Sequence, residues 1–399
     1  MVYYFDKASV GLNHLMFNYS MICVLRECFP NQSIVVIINE EQLLVIKEKL
    51  ECVSVTNIEY RAIKIGLSSN GKWSGFKKLI NKNREDLKFY KELLGFSKPA
   101  DLIFCATASS ISSLLFKKIN ARYPQVYSIL TLHGEIETLY NAQSISEKII
   151  ASIYKWNFKI KAGNFEYLLL NKITKGFLVG DGFLKNDEIL EISHPFVFRP
   201  AHEGKRKLSD TINLGHIGGL MPRKGSQFFV KLAEDINAGN NRGKRNIALY
   251  AIGKIDQKIA ITSDTPLVRL DNETQTLISR EMYDEYIEKM DFAVFTYPQD
   301  QYVHRVSGAV FDALDYNKPL IVTAHPYFKS LFEAAGDIGF YCNDYKEMLK
   351  LIEQLSGNDE ILAKRYDQQI RNISIYKEKI NFKNISNDLK SQIKRYHAI

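Results

Sequence analysis

Long hydrophobic runs are missing from this sequence. The longest apolar stretches, such as SIVVII and FAVF, fall far short of the roughly 20 residues that a membrane-spanning helix needs. The first residues, MVYYFDKASVG, have neither the charged start nor the cleavage site of a secretory signal peptide. We therefore expect a cytoplasmic protein and, where it meets a membrane, a peripheral contact at the inner face of the cell membrane.

Cysteine is scarce as well. The five cysteines are odd in number and mostly lie in apolar segments, without the CxxC spacing of metal and redox sites. This pattern argues against a disulfide framework and predicts free thiols buried in the core. The five residues are Cys23, Cys28, Cys52, Cys105 and Cys342.

Low-complexity tracts and repeats of fixed period are also absent. What is present is the composition of an ordinary globular protein, with 46% apolar and 25% charged residues. The chain has 399 residues. Because a single hydrophobic core usually stops growing at about 250 to 300 residues, we expect two domains.

The charge is moderately basic and unevenly distributed. The 53 Lys and Arg residues outnumber the 45 Asp and Glu residues, for a net charge of +8. Residues 61–98 contain ten basic and three acidic residues, with Trp73 and Phe76 among them. Such a stretch is typical of a solvated helix face, of a contact with anionic lipid, or of a nucleic-acid patch. The segment IYKWNFKIK is a second candidate for lipid contact, and because no recognised nucleic-acid-binding module is present, we expect no nucleic-acid partner.

Strand and helix patterns alternate along the first half. VYYF and SIVVIIN predict strands on either side of the helix LMFNYSMICVLRECF. Further apolar runs at ADLIFCAT, VYSILTLHG and TKGFLVGD predict more strands of a parallel sheet covered by helices. The alternation breaks at residues 192–210, which contain two prolines, a glycine and a charge cluster.

The alternation restarts at TINLGHIG and continues to KPLIVTA. The sequence therefore predicts an α/β protein of two Rossmann-like domains that face each other across a central cleft. Ligands of such sheets bind beyond the carboxyl ends of the strands. The predicted boundaries are residues 1–195 for the first domain, 196–210 for a linker, 211–375 for the second domain and 376–399 for a C-terminal helix.

The segment GHIGGLMPRKG, residues 215–225, follows a predicted strand and precedes a predicted helix. Its glycines allow a tight turn, in which backbone N–H groups and the positive end of the helix converge on an anion. Its adjacent arginine and lysine add full positive charges. Taken alone, the segment is equally typical of a basic surface turn and of an anion-binding cradle. The candidate ligands of an anion are Gly218, Gly219, Arg223 and Lys224.

A second segment, HRVSGAVFDALDYNKPLIVT, covers residues 304–323. Ser307 and Gly308 predict a helix start that offers another set of backbone N–H groups to a diphosphate. Asp312 follows on the same helix and can accept hydrogen bonds from ribose hydroxyls. An aspartate on a helix is more often solvated, but its small and apolar neighbours argue against that here.

Together these segments resemble the GT-B glycosyltransferases, especially the retaining glycosyltransferase family 4, with this chain as a divergent member. In that family the second domain carries a GxLxxxKG-like run that holds the donor pyrophosphate, and this chain reads GGLMPRKG. A later family segment has two glutamates around a small-residue helix start and ends in GxPVI, where this chain reads HRVSGAVFDALDYNKPLIV. The resemblance implies that Lys224 binds the donor phosphates and that Asp312 takes the place of the ribose-binding glutamate.

Two positions depart from the family pattern. Gly219 stands where the family has an arginine, so either Arg223 replaces that cation or the phosphate is held differently. His304 stands where the family has the glutamate that contacts the donor sugar. This residue type marks either a different donor sugar or a divergent subfamily.

In the first domain, ASVGLNH resembles the family's glycine loop. Gly11 would allow a close approach to the donor phosphates, and Asn13 and His14 would reach donor or acceptor. TLHGEIE resembles the family's acceptor side, with His133 and Glu135 as the matching residues. A histidine after a strand is also common as a purely structural residue, and that interpretation stays open for His14 and His133.

The resemblance implies transfer of a sugar from a UDP- or GDP-linked donor to a glycan or lipid-linked glycan acceptor, in bacterial surface polysaccharide or glycoconjugate biosynthesis. In these enzymes cations and helix N-termini replace a metal ion, and the sequence has no convincing DxD pair, so we expect no metal and no other cofactor. Retention by front-face attack is favoured, whereas an inverting enzyme would use Glu135 or His133 as a base. The C-terminal helix is expected to cross back to the first domain.

Two alternatives remain open. A non-hydrolysing sugar-nucleotide epimerase would use the same donor pocket with acid and base carboxylates beside the sugar. A catalytically silent GT-B partner would keep the fold without the chemistry, which Gly219 and His304 would explain. An NAD-dependent oxidoreductase is disfavoured because GHIGGLM lacks the GxGxxG spacing.

Overall fold

A computed structural model gives the structure of residues 1–9, 11, 13–63, 74–199, 208, 210–238, 245–262, 264–269, 279–357 and 360–393. The contacts divide the chain into two compact units. The first is Met1–Val197 together with Ile380–Ile399, and the second is Phe198–Lys379. Residues 64–73 of the basic stretch, with Trp73, and most of the predicted linker, including residues 200–207, lie outside the described residues.

The first unit contains a parallel sheet of seven strands in the order β3-β2-β1-β4-β5-β6-β7. The strands are β1 (Val2–Asp6), β2 (Ile34–Asn39), β3 (Ile58–Ile63), β4 (Leu102–Thr107), β5 (Tyr127–Thr131), β6 (Phe165–Leu169) and β7 (Ile189–Glu191). The helices between them are α1 (Leu15–Cys28), α2 (Glu40–Cys52), α3 (Ser74–Phe96), α4 (Ser110–Asn120), α5 (Ile145–Lys159) and α6 (Lys172–Gly180).

The second unit contains a parallel sheet of six strands in the order β10-β9-β8-β11-β12-β13. The strands are β8 (Thr211–Ile217), β9 (Asn246–Ile252), β10 (Val268–Arg269), β11 (Phe292–Phe295), β12 (Leu320–Thr323) and β13 (Gly339–Cys342). The helices are α7 (Ser226–Ala238), α8 (Arg280–Lys289), α9 (Gly308–Asp315), α10 (Pro326–Ala335), α11 (Tyr345–Ser356) and α12 (Glu360–Lys379). The predicted α/β class with two Rossmann-like domains is confirmed.

The last helix, α13 (Phe382–Gln392), belongs to the first unit. It begins separately from α12, because the Asn381 side chain accepts a hydrogen bond from the Asn384 N–H at 2.9 Å and so caps the new helix. Ile385 and Leu389 are buried, and the Gln392 side chain accepts a hydrogen bond from the N–H of Glu191, the last residue of β7, and donates one to its carbonyl. The chain thus returns to the first unit, as predicted for its C-terminal helix.

The strand predicted at TKGFLVGD is wrong, because residues 174–180 lie in helix α6. The Asn171 side chain caps this helix by accepting from the Thr174 N–H at 2.8 Å. Thr174 and Leu178, one helical turn apart, are its buried residues. The strand of this region is the preceding FEYLL of β6.

Each sheet buries its own apolar core. In the first unit the core includes Phe5, Phe116 and Tyr167, and in the second it includes Leu214 and Phe292. The cysteines are free thiols. Four are buried as predicted, but Cys52, the last residue of α2, is exposed.

Candidate functional site

The glycine loop after β8 lies directly against the loop after β9. Gly218 has φ +84° and donates its N–H to the Ile252 carbonyl at 2.8 Å. A Cβ atom on Gly253 would lie 2.5 Å from the carbonyl carbon and oxygen of Gly218. The two loops therefore touch through backbone atoms, and only glycine fits at this contact.

Lys224 lies at the end of a short 3-10 turn, Pro222–Lys224, and is buried with 7% of its surface exposed. A Cβ atom on Gly218 would lie 3.4 Å from Lys224 Nζ and 3.1 Å from Ala309 Cβ. Gly218, Lys224 and the first turn of α9 therefore lie together. The structure brings the two motif segments, 215–225 and 304–323, to one place.

The backbone beside Lys224 is fixed by Gly225. Gly225 has φ +66°, and a Cβ atom there would lie 2.0 Å from the Thr296 carbonyl oxygen. The Thr296 hydroxyl donates to the Gly225 carbonyl at 2.8 Å. Because this turn is packed directly onto the end of β11, the position of the Lys224 side chain is determined by the sheet.

The Lys224 amine is charged in a poorly solvated place. Burial and the neighbouring Arg223 lower the pKa of Lys224 to about 8, and Asp312 offsets part of this shift. Within the described part of the chain, no hydrogen bond or ion pair involves its Nζ. Arg223 is exposed on the same turn. A phosphate brought to this place would meet a buried cation that the described residues leave without a hydrogen-bonded counterion.

The start of helix α9 also favours binding of an anion such as a phosphate. The Ser307 side chain does not cap the helix, since its hydroxyl lies 2.8 Å from the Tyr297 hydroxyl. Gly308 is exposed and has space around its Cα. The first N–H groups of a helix lack intrahelical partners and favour an anionic acceptor. The predicted helix start is therefore present beside Lys224.

Asp312 is held by two residues that the sequence reasoning missed. Its Oδ2 accepts a hydrogen bond from Tyr283 at 3.0 Å, and its Oδ1 lies 3.4 Å from two nitrogens of Arg280. Arg280 also pairs with Asp284 at 2.8 Å. Burial raises the pKa of Asp312, while Arg280 and Tyr283 act in the opposite direction.

Two buried histidines, His304 and His216, lie in the second unit. His304 is buried, with 5% exposed, in the turn that leads to Ser307. His216 of β8, which the sequence reasoning did not single out, lies 3.1 Å from the Ser226 hydroxyl, and that hydroxyl accepts from the Met221 N–H at 2.9 Å. Burial and Lys224 lower the pKa of His216 to about 3, so it supports the loop as a neutral ring.

In the first unit, the loop after β1 is held by a buried polar network. Gln42 donates to the carbonyl oxygens of Gly11 and Asn13 at 2.9 and 2.6 Å. Its own oxygen accepts from Asn18, which also donates to Asp6. Gly11 has φ +57°, which suits glycine. The Asn13 side chain is exposed.

His14 and His133 lie together in the first unit, with ring centroids 4.5 Å apart. His133 Nε2 lies 2.8 Å from the Ala106 carbonyl oxygen. Burial, and then His14, lower the pKa of His133 well below its ordinary value, and burial also lowers the pKa of His14. The sequence reasoning missed His194, whose ring lies 5.6 Å from Phe17 and whose pKa is lowered to about 4 by burial and by His14.

Glu135 lies in the 3-10 helix Gly134–Leu139 and is exposed. Its Oε2 accepts a hydrogen bond from Tyr154 at 3.0 Å. Since Tyr154 is a buried residue of α5, the carboxylate is oriented by the core of the unit.

Among the described residues, no group of three or more His, Cys, Asp or Glu side chains has an arrangement that would hold a metal ion. No helix within the described ranges is both long and apolar enough to span a membrane.

No protein-family model and no curated protein matches the sequence. Solved structures do match along the whole chain. Sucrose-phosphate synthase from Thermosynechococcus elongatus has a TM-score of 0.65 at 11% identity, covering 100% of this chain and 99% of the other. The trehalose 6-phosphate synthase of Burkholderia multivorans has a TM-score of 0.64 at 10% identity, with 100% and 99% covered.

A third structure, Anabaena HepE in complex with UDP-glucose, has a TM-score of 0.61 at 9% identity and covers 99% of each chain. These neighbours are GT-B glycosyltransferases. Likeness over the full length at such low identity establishes a shared architecture. The chain has the GT-B fold.

Proposed function

We propose that this protein is a glycosyltransferase that takes a sugar from a UDP- or GDP-linked donor and passes it to a glycan or lipid-linked glycan. The observation that carries the proposal is Lys224, a buried amine without a hydrogen-bonded partner among the described residues, beside the uncapped start of α9. Support for uridine comes from the neighbouring structure of HepE, which holds UDP-glucose.

The chemistry follows from the charge that develops in sugar transfer. As the bond to the sugar breaks, negative charge grows on the leaving diphosphate, and groups preorganised around that charge lower the barrier. Lys224 and the first amides of α9, beginning at Gly308, would supply this stabilisation. The Gly218 N–H is not available for this role, because it donates to the Ile252 carbonyl. Arg223 would act in place of the family arginine, whose position is occupied here by Gly219. Asp312 would bind the ribose and His304 would line the sugar. No metal is needed for this arrangement.

On the acceptor side, the proposal favours retention. An efficient general base has a pKa near the working pH. Burial and the neighbouring His14 lower the pKa of His133 well below its ordinary value, which makes this ring a weak base for deprotonating an acceptor hydroxyl. In front-face retention the leaving phosphate takes this role, and His133, Glu135, Asn13 and His14 would orient the acceptor.

A thermal-shift screen tests the donor class. UDP or GDP should raise the melting temperature of the protein, whereas NAD should not. Incubation with the matching sugar nucleotide should then release free nucleotide only when an acceptor is added. Stabilisation by NAD instead of nucleoside diphosphates would reject the proposal, and interconversion of the donor sugar without acceptor would identify an epimerase.

One observation favours a second candidate, a GT-B protein that binds without catalysis. Asp312 is already engaged by Arg280 and Tyr283, and Gly219 and His304 replace charged residues of the family pattern. A silent partner would bind UDP or GDP and show no donor consumption with any acceptor. The turnover assay above separates the two candidates.

A further inference from the structure

The outer face of helix α5 carries an apolar strip that the sugar-transfer site does not use. Ile145, Ile149 and Trp156 are 79%, 56% and 56% exposed. At about 100° per residue these three positions project on one side of the helix. The opposite side carries Tyr154 and Phe158, which are buried in the core of the first unit.

Cations follow one flank of this strip. Lys148, Lys155 and Lys159 are exposed on α5, and their helical positions place them next to each other beside the apolar strip. Lys118 of α4 reaches the strip as well, since its Nζ lies 6.0 Å from the centroid of the Trp156 ring. The apolar strip and this row of lysines are called the α5 face below.

The acidic residue of α5 adds little to oppose this charge. Glu147 is the acidic residue in the sequence of the helix. Its Oε2 accepts hydrogen bonds from the Gln143 and Ser144 N–H groups at 2.8 and 2.9 Å in a capping box. This single carboxylate is held at the helix start, and the three lysines of α5 outnumber it, so the α5 face remains positive.

We propose that the α5 face docks on the surface of an anionic lipid bilayer. A helix with apolar residues on one face and lysines beside them lies in the plane of the membrane interface, with its apolar side chains at the acyl boundary. Trp is favoured at that depth, and long lysine side chains extend to the lipid phosphates. A partner protein of acidic surface is the alternative occupant, and absence of vesicle binding in the test below would favour it.

Charge repulsion disfavours a second copy of this chain as the occupant of the α5 face. Two α5 faces placed together would bring two rows of lysines close to each other, and like charges at close range oppose association. Docking on lipid also stands apart from the donor site, because it needs no nucleotide. Failure of one proposal leaves the other intact.

Co-sedimentation with vesicles tests the proposal. The protein should bind vesicles of phosphatidylcholine mixed with phosphatidylglycerol and not vesicles of phosphatidylcholine alone, and added salt should weaken the binding. In a Trp73→Phe background, the fluorescence of Trp156 should shift to shorter wavelength on binding. The double variant Ile149→Ser with Trp156→Ser should lower the partition coefficient by about tenfold or more.

A matched control comes from helix α12, where Ile361 and Ile375 are 76% and 67% exposed. Ile361→Ser with Ile375→Ser makes the same kind of change elsewhere and should leave vesicle binding unaltered. Replacing Lys148, Lys155 and Lys159 by Gln should lower binding by about tenfold at low salt. Thermal melts show whether each variant is folded.

Three results would overturn the proposal. The first is equal binding to both kinds of vesicle. The second is unchanged binding of the α5 variants, which would assign lipid contact to another basic segment such as residues 61–98. The third is absence of vesicle binding, including the case in which light scattering shows a dimer that the Ile149 and Trp156 substitutions convert to a monomer.

Discussion

The Lys224 amine and the Asp312 carboxylate are both buried, and the charge of Asp312 acts to raise the pKa of Lys224. Burial drives the pKa of Lys224 down to about 8 and the pKa of Asp312 up. Sequence patterns identified both residues, because the glycine turn and the small-residue helix start are local signals. They did not identify Arg280 or Tyr283, since only folding places α8 beside α9 and a contact between distant segments leaves no periodic trace.

The pKa of Lys224 predicts how donor binding depends on pH. Below pH 8 the amine is charged, and a bound diphosphate stabilises this form. As the pH rises through about 8, UDP affinity should fall, by up to about tenfold per pH unit. Isothermal titration calorimetry between pH 7 and 9.5 checks this. Lys224→Arg keeps its charge over this range, so any UDP binding it retains should show a flat profile.

Unfolding at high pH would not explain such a loss. The pKa of Lys224 in the folded protein, about 8, lies below the ordinary value of 10.5. Between these values the unfolded chain binds more protons at this group than the folded chain does, so the contribution of Lys224 to stability rises with pH. A fall in UDP affinity without a fall in melting temperature assigns the effect to the binding amine. A pH-independent affinity of the unaltered protein would contradict the account.

The hydrogen bond from Tyr283 to Asp312 gives a second prediction. Tyr283→Phe removes a donor from a buried carboxylate and should lower the free energy of unfolding by about 1 kcal/mol. Urea unfolding measures this change. Tyr286→Phe on the same helix is the matched control, because its ring contacts Tyr250 and the described residues show no hydrogen bond of its hydroxyl. Equal effects of the two substitutions would show that the Tyr283 hydroxyl contributes nothing.

Among the elements, the loops after β8 and β9 are the most constrained by backbone contact. Gly253→Ala would place a Cβ atom 2.5 Å from Gly218 at a φ of +147°. We expect a loss of about 3 kcal/mol or more from strain and overlap, together with weaker UDP binding, because the loop that carries Gly218 must move. Urea unfolding and calorimetry measure the two effects.

Gly176 of α6 provides the control for this substitution. A Cβ atom there meets nothing within 4 Å. Since alanine favours a helix over glycine by roughly 0.5 to 1 kcal/mol, Gly176→Ala should stabilise the protein slightly. If Gly253→Ala proved as harmless as Gly176→Ala, the close contact of the two loops would be wrong.

The elements also show where a sequence pattern is ambiguous. The run FLVG within TKGFLVGD is short and apolar, and periodicity alone does not separate a buried strand from a helix of that length. The hydrogen bond from the Thr174 N–H to the Asn171 side chain caps this segment as a helix. By contrast, β8, α7, β9 and α9 were predictable because strand, glycine turn and amphipathic helix follow each other there with clear boundaries.

For the whole molecule, the alternation of strand and helix patterns was enough to predict two parallel sheets, because this alternation breaks off at residues 192–210 and then restarts. The return of α13 to the first unit followed from the family resemblance and not from any local signal. The sequence singled out IYKWNFKIK, with Trp156, as a candidate for lipid contact, but it did not show that Ile145 and Ile149 share an exposed strip with Trp156. Which face of a helix meets the sheet is decided by packing against α4 and the first-unit core.

The measurement that tests the central claim most directly is a calorimetric titration of UDP, and of GDP in parallel, into the unaltered protein, Lys224→Ala and Lys231→Ala. Lys231 is an exposed lysine of α7 paired with Asp235 in the same unit. We expect either UDP or GDP to bind the unaltered protein and Lys231→Ala. We expect the affinity of Lys224→Ala for that nucleotide to be about 100-fold lower, as for removal of a charged hydrogen bond. Equal affinity of the two variants would show that the buried amine is not the phosphate ligand.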